Sequence, residues 1–306
     1  MANSTGLNRT GILSRVTVAA ITAALVGTTT AAVAADAPAP VGKTSAAAEK
    51  ATPGAGTFAA ESAADAPIGE LRAADGNGKL WSYWPNGSGG FEAREDVGSG
   101  WGGVSKATQV DQDADGVSDG AWIVSYGTLY WLEWNASPVS LGGGWGAFNT
   151  VVSTASLGGA AADDLLTRDG SGNLYLYLGY GNGRLAPRVK VGTGWHIYNA
   201  ITGKGDLNND GKADVIARDG SGNLWLYKGT GNYQTPFGPR VKVGTGWGIY
   251  NSVVSTGDVD IDGVADVLAR DGSGNLWLYK GTGTTAPAFK PRVKLGTGWN
   301  TYRLMF

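Results

Sequence analysis

The chain has 306 residues, with 24 Lys or Arg against 26 Asp or Glu and a formal charge of −2. That balance offers no basic face of the kind expected of a nucleic-acid binder. Cysteine is absent, so no disulfide holds the fold, and the 51 Gly, 12 Trp and 12 Tyr fit short strands joined by tight turns.

Residues 1–34 read as a secretory signal peptide. Arg9 and Arg15 supply a positive start, Val16 to Val33 is small and uncharged, and Ala32-Val33-Ala34 is a small-x-small cleavage pattern. Export is therefore expected, with no membrane span left after cleavage. Residues 35–58 are Ala, Pro, Thr, Gly and Ser with few bulky apolar side chains. Such a segment buries too little surface to offset its ordering entropy and reads as a linker.

From 59 to 306 the chain repeats itself. Asp75-Gly-Asn-Gly-Lys-Leu-Trp-Ser-Tyr83 is the first copy of a turn-and-strand motif, and Gly127-Thr-Leu-Tyr-Trp-Leu132 is a worn second. Asp169–Tyr177 is a third. Asp219-Gly-Ser-Gly-Asn-Leu-Trp-Leu-Tyr-Lys-Gly-Thr-Gly231 recurs unchanged at Asp271–Gly283. A Gly-Trp marker follows each copy, at Trp101, Trp145, Trp195, Trp247 and Trp299.

In the last full copy the pattern predicts four strands: Asn251–Thr256, Ala265–Arg270, Asn275–Lys280 and Pro291–Leu295. Asp-Gly-Ser-Gly-Asn suits a hairpin, because Gly and Asn tolerate positive φ. In Leu276-Trp-Leu-Tyr279 both faces are apolar, as in a sheet covered on both sides. Four strands per unit is the size of a propeller blade. Five markers predict an all-β propeller of about five four-stranded blades. The phase of the repeat predicts closure by the final strand, Thr301–Phe306, pairing into the first blade.

Three loops share one acidic spacing. They are Asp111-x-Asp113-x-Asp115-Gly-x-x-Asp119, Asp206-x-Asn208-x-Asp210-Gly-x-x-Asp214 and Asp258-x-Asp260-x-Asp262-Gly-x-x-Asp266. Oxygens at alternate positions wrap one side of a hard cation, and Gly permits the turn. A backbone carbonyl at Val117, Lys212 or Val264 and the last Asp complete the shell. Clustered carboxylates without an ion would repel one another. About three calcium ions are expected, tying strands together where no disulfide exists. In the third blade Ser156, Gly158 and Ala160 replace the first three ligands and leave Asp164, and in the first Ala64, Ala66 and Glu70 hold the corresponding places; no metal is expected at either.

Gly257-Asp-Val-Asp-Ile-Asp-Gly-Val-Ala-Asp266 followed by Val-Leu-Ala-Arg270 resembles the FG-GAP/VCBS repeat of integrin α-chain propellers and secreted bacterial proteins. The resemblance covers residues 60–306. It implies calcium at the three loops and a role in adhesion or ligand binding. The seven blades of integrin propellers and the Phe-Gly pair of the repeat are departures. Five blades of this length are also similar to tachylectin-like lectins, although no sugar-site motif is shared.

Three functions follow for comparison. A non-catalytic monomer that binds a glycan or protein outside the cell is the main expectation, with Trp84, Tyr130, Trp131 and Trp134 as candidate stacking residues. A hydrolase would need a carboxylate pair from Glu92, Glu95, Asp96 and Glu133; the lone His196 sits where Gly248 and Asn300 stand in later copies, which argues against a triad. A passive scaffold or modulator of a secreted enzyme is the third.

Overall fold

The computed structural model describes residues 66–306. The signal peptide and linker expected at 1–58 lie outside the described residues. The first blade contains β1 (Leu71–Asp75), β2 (Leu80–Tyr83) and β3 (Glu95–Gly98). The second is β4 (Val104–Val110), β5 (Gly120–Ser125), β6 (Thr128–Glu133) and β7 (Val139–Gly142). The third is β8 (Phe148–Ser153), β9 (Leu165–Asp169), β10 (Leu174–Tyr177) and β11 (Val189–Gly192). The fourth is β12 (Tyr198–Thr202), β13 (Val215–Asp219), β14 (Leu224–Gly229) and β15 (Phe237–Gly244). The fifth is β16 (Tyr250–Gly257), β17 (Asp266–Asp271), β18 (Leu276–Tyr279) and β19 (Val293–Gly296), and β20 (Tyr302–Met305) ends the chain. Each sheet has four antiparallel strands, and the first runs β20-β1-β2-β3.

The fold is thus the expected five-bladed propeller. β20 closes it by pairing with β1, Ala73 opposite Met305 and Ala74 opposite Leu304. Phe306 and Arg72 extend the ladder by exchanging two backbone bonds. The strands forecast for the fifth blade are all present, with ends shifted by one or two residues. Strands β4, β8, β12, β16 and β20 are the axial strands, with contacts between β20 and β4, β4 and β8, β8 and β12, and β12 and β16.

The core lies between blades. One cluster combines Trp122, Leu129 and Trp131 of the second blade with Trp145, Phe148, Leu165 and Tyr177 of the third. Fully burying side chains of this kind contributes about 1.5–3 kcal/mol each. All five marker tryptophans are buried and each opens a one-turn 3-10 helix. Each donates its backbone N–H to the hairpin glycine of the preceding blade, for example Trp195 to Gly172 at 3.0 Å. The Gly before each Trp has φ between 75° and 90°, a region that side chains disfavour. The repeated Gly-Trp is therefore the device that turns one blade into the next.

In every blade but the second, an Asp at the start of the hairpin (Asp75, Asp169, Asp219 and Asp271) caps it. Asp271 accepts the backbone N–H groups of Ser273 and Asn275, both at 3.0 Å, and the Trp277 indole N–H at 2.9 Å. Bonds from the Asn275 and Trp277 side chains hold its carboxyl down at about 2. These aspartates are committed to hairpins.

Candidate metal centres

The three acidic loops occupy equivalent places. Each joins the axial strand of a blade to the second strand: β4 to β5, β12 to β13 and β16 to β17. The fourth position of each loop is left-handed, with φ of 61° at Ala114, 56° at Asn209 and 59° at Ile261. Gly116, Gly211 and Gly263 are also at positive φ. This double turn folds the first aspartate back over the loop. Gly116 N–H reaches Asp111 at 2.8 Å, and Gly211 and Gly263 reach Asp206 and Asp258 at 2.6 Å.

In two loops the carboxylates converge. One oxygen each of Asp111, Asp113 and Asp115 lie within 4.8 Å of one another, as do those of Asp258, Asp260 and Asp262. The Asp260 Oδ1 atom is buried without a hydrogen-bond partner. None of the carbonyls of Val117, Lys212 and Val264 accepts a hydrogen bond from the described residues, and each therefore remains available as an acceptor. This all-oxygen donor set fits a hard divalent cation. The middle loop differs, because Asn208 is neutral and its amide donates to Asp214 at 2.6 Å.

The ninth-position aspartates have a second task. Asp214 and Asp266 accept N–H bonds from Gly229 at 2.9 Å, the last residue of β14, and Gly281 at 2.8 Å, two residues past the end of β18. Asp164, in the loop that lacks the other ligands, makes the same bond to Gly179 at 3.2 Å. A strand-tying role thus persists where the acidic trio is gone. Asp119 instead accepts from Gln112 N–H at 2.7 Å. In the first blade Glu70 fills this place and pairs with buried Arg72.

Burial raises several of these carboxyls. It lifts Asp111 to about 6, with Asp163 adding to the rise, Asp214 to about 6 and Asp266 to about 7. A nearby cation would favour the ionised forms. The third loop already has cationic neighbours: Lys280 meets Asp260 and Lys290 meets Asp262, each at 2.8 Å. No sequence spacing signals these pairs, because the lysines lie beyond the third strand of the blade, away from the acidic loop. Nor does any spacing signal a buried pair at the axis, Lys204 with Asp163. Asp163 holds the Asp111 N–H at 2.9 Å, tying the first acidic loop to the third blade. A small cavity beside it is bounded by Pro67, Gln109, Asp111, Lys204, Thr256 and Phe306.

The four aromatic candidates do not share a surface. Trp131 is buried against Trp122 in the cluster between blades two and three. Tyr130 and Trp134 pack on the opposite side of their sheet. The Trp134 ring lies 3.4 Å from the Arg72 guanidinium and donates its N–H to Ser118. Trp84 is 36% exposed in the first blade. The acids weighed for hydrolysis are divided between blades: Glu95 and Asp96 lie on β3, with Asp96 paired to Lys79, and Glu133 ends β6. His196 is exposed in a 3-10 turn.

Comparison with solved structures finds similarity to an Agrocybe aegerita lectin, described by its recognition of non-reducing terminal N-acetylglucosamine. Identity is 17% over 72% of this chain and 61% of that one, with a TM-score of 0.41. The BP39L lectin of Burkholderia pseudomallei is 13% identical over 74% of this chain and 69% of that one, with a TM-score of 0.45. Prp20p of Saccharomyces cerevisiae is 10% identical over 76% and 62%, with a TM-score of 0.36. The chain thus spans less than two thirds of the first and last of these. No curated protein matches it. Residues 206–269, which carry the second and third acidic loops, match the FG-GAP-like repeat family, so the chain carries at least this FG-GAP-like segment within a five-bladed propeller.

Proposed function

We propose that this chain is an exported, calcium-stabilised propeller that acts as a non-catalytic binding module for a glycan or protein outside the cell. The observation that carries the reading is the convergence of two carboxylate trios at the same turn of two blades, one of them holding a buried oxygen without a partner. When bound, a calcium ion supplies positive charge that the loop aspartates would otherwise lack. Asp111, Asp113, Asp115 and Asp119 would hold one ion, and Asp258, Asp260, Asp262 and Asp266 another. Asp206, Asn208, Asp210 and Asp214 would hold the third with one carboxylate fewer.

The experiment is a thermal melt of the purified chain in EDTA and in 10 mM calcium, with calcium titrated by calorimetry. Extracellular modules bind calcium at about 10⁻⁴–10⁻³ M, and a hundredfold excess over Kd stabilises by about 2.7 kcal/mol per site. A clear rise in Tm with calcium is expected, and Asp260→Asn should remove part of it. Equal melting in EDTA and calcium, with no heat of binding, would sink the metal reading. A glycan array probed in both conditions then separates a lectin from a scaffold.

A further inference from the structure

The outer halves of blades three, four and five have an unusual charge. Residues 174–192, 224–244 and 276–296 together contain ten Lys or Arg and no Asp or Glu. The matching stretches of the first two blades are acidic: 80–98 has Glu92, Glu95 and Asp96 against Arg94, and 128–142 has Glu133 alone. A near-neutral chain therefore folds into a ring with one cationic arc.

The arc is built from a repeated pair. Arg188 and Lys190, Arg240 and Lys242, and Arg292 and Lys294 stand two apart at the outermost strands: Arg240 and Lys242 lie within β15, Lys190 and Lys294 within β11 and β19, and Arg188 and Arg292 immediately precede β11 and β19. Two-residue spacing puts each pair on one face of its strand. The arginines are held in place by aromatic rings, Arg240 over Trp225 at 4.0 Å, Arg292 over Trp277 at 4.1 Å and Arg188 over Tyr175 at 4.5 Å. Arg240 and Arg292 also donate to the Tyr198 and Tyr250 hydroxyls. Each lysine stands opposite the same ring in the strand register. Among the described residues, none of the six pairs with a carboxylate.

Charge on an edge strand discourages strand-to-strand aggregation, but either sign serves that purpose, and β3 uses Glu95 and Asp96. One sign on three successive blades calls for a different explanation. Guanidinium groups fixed by stacking lose little freedom on binding an anion. The rings beneath them are covered and offer no open face to a nucleobase. We propose that the rim of blades three to five is the ligand surface of the module, and that its ligand is a linear polysaccharide bearing carboxylate or sulfate groups. This deepens the binding-module reading and rests on it.

The test uses the full chain against immobilised polygalacturonate and dextran sulfate, with uncharged dextran and a duplex DNA alongside, in calcium and in EDTA. Binding to at least one anionic glycan is expected, weakening about tenfold or more between 50 and 300 mM NaCl as exposed charges are screened. The two polymers distinguish carboxylate from sulfate. Lys190→Glu, Lys242→Glu and Lys294→Glu combined should weaken it about tenfold or more, whereas Lys79→Glu, off the arc, should not. The lysine set avoids the stacked arginines, so the melting temperature should be kept. No binding, binding indifferent to the lysine set, or equally tight binding to DNA would overturn the proposal. An EDTA-insensitive melt with rim-dependent glycan binding would remove the metal reading and leave this one standing.

Discussion

At the residue scale, a repeated arginine shows how the blades are locked. Arg218 donates to the Trp247 carbonyl at 3.2 Å and to that of Tyr250, while its Nε holds Asn199 at 2.6 Å. Arg168 and Arg270 do the same with Asn149 and Asn251. In the first blade this position is Ala74, yet the carbonyls are served. Arg303, at the place of the asparagine, reaches across to Val104 at 2.6 Å and to Trp101. The guanidinium has changed strands and kept its acceptors. Leaving a buried acceptor unmet costs about 1–3 kcal/mol, so Arg218→Ala is expected to lower stability by that amount in a urea melt. Arg303→Asn should cost as much alone and be rescued by adding Ala74→Arg. Absence of coupling in that double-mutant cycle would show that the lock contributes nothing. The repeat makes Arg218 and Arg270 visible in the sequence. Their partners were not visible, because the acceptors are backbone carbonyls about thirty positions away that carry no side-chain signal.

At the element scale, the segment before β1 does more than start the first blade. Pro67 accepts the Asp258 N–H at 2.8 Å, and the Ile68 N–H donates to Gly116 at 3.1 Å. Pro67 also packs against Gly205, and Ala66 joins a core cluster with Leu207 and Ala265. One short arm therefore touches all three acidic loops. A Cβ on Gly257 would overlap the Pro67 carbonyl, and its φ of 109° is unfavourable for any side chain. Gly257→Ala should destabilise the protein by about 1–3 kcal/mol and release the arm. Mass spectrometry after brief exposure to a broad-specificity protease should then find cuts before residue 70 that the parent protein resists; an unchanged cleavage map would contradict the arm's role. The sequence marked 64–70 only as a place where an acidic loop was lacking. It could not show the arm, because the arm's contacts are with loops far along the chain and depend on the ring being closed. Strands and hairpins were legible for the opposite reason. Their Asp-Gly turns and alternating apolar faces are local and repeat with the blade. The acidic loops were legible as spacing, but the sequence did not show that the Asn208 amide of the middle loop is engaged with Asp214.

At the scale of the whole molecule, closure joins the two ends of the described chain in one sheet. β20 supplies the axial strand of the first blade. Tyr302, Met305 and Phe306 are buried, and Phe306 stacks on Trp101 at 5.4 Å. Gln109 adds bonds to the carbonyls of Glu70, at 2.6 Å, and Phe306, at 3.1 Å, holding the arm and the closing strand together. Truncating a buried Met to Ala costs about 2–5 kcal/mol and a buried Phe about 3–5, against a total stability of about 5–15 for a typical domain. Removing 302–306 would also leave β1 with an unpaired edge. The shortened chain is therefore expected to lose its single cooperative melting transition and to associate, as read by calorimetry and size-exclusion chromatography. If it stayed monomeric and melted within a few degrees of the full chain, the ring would not depend on this strand. Blades two to five would then have to be stable as an open stack, with an end unsealed and the three acidic loops holding their neighbours unaided.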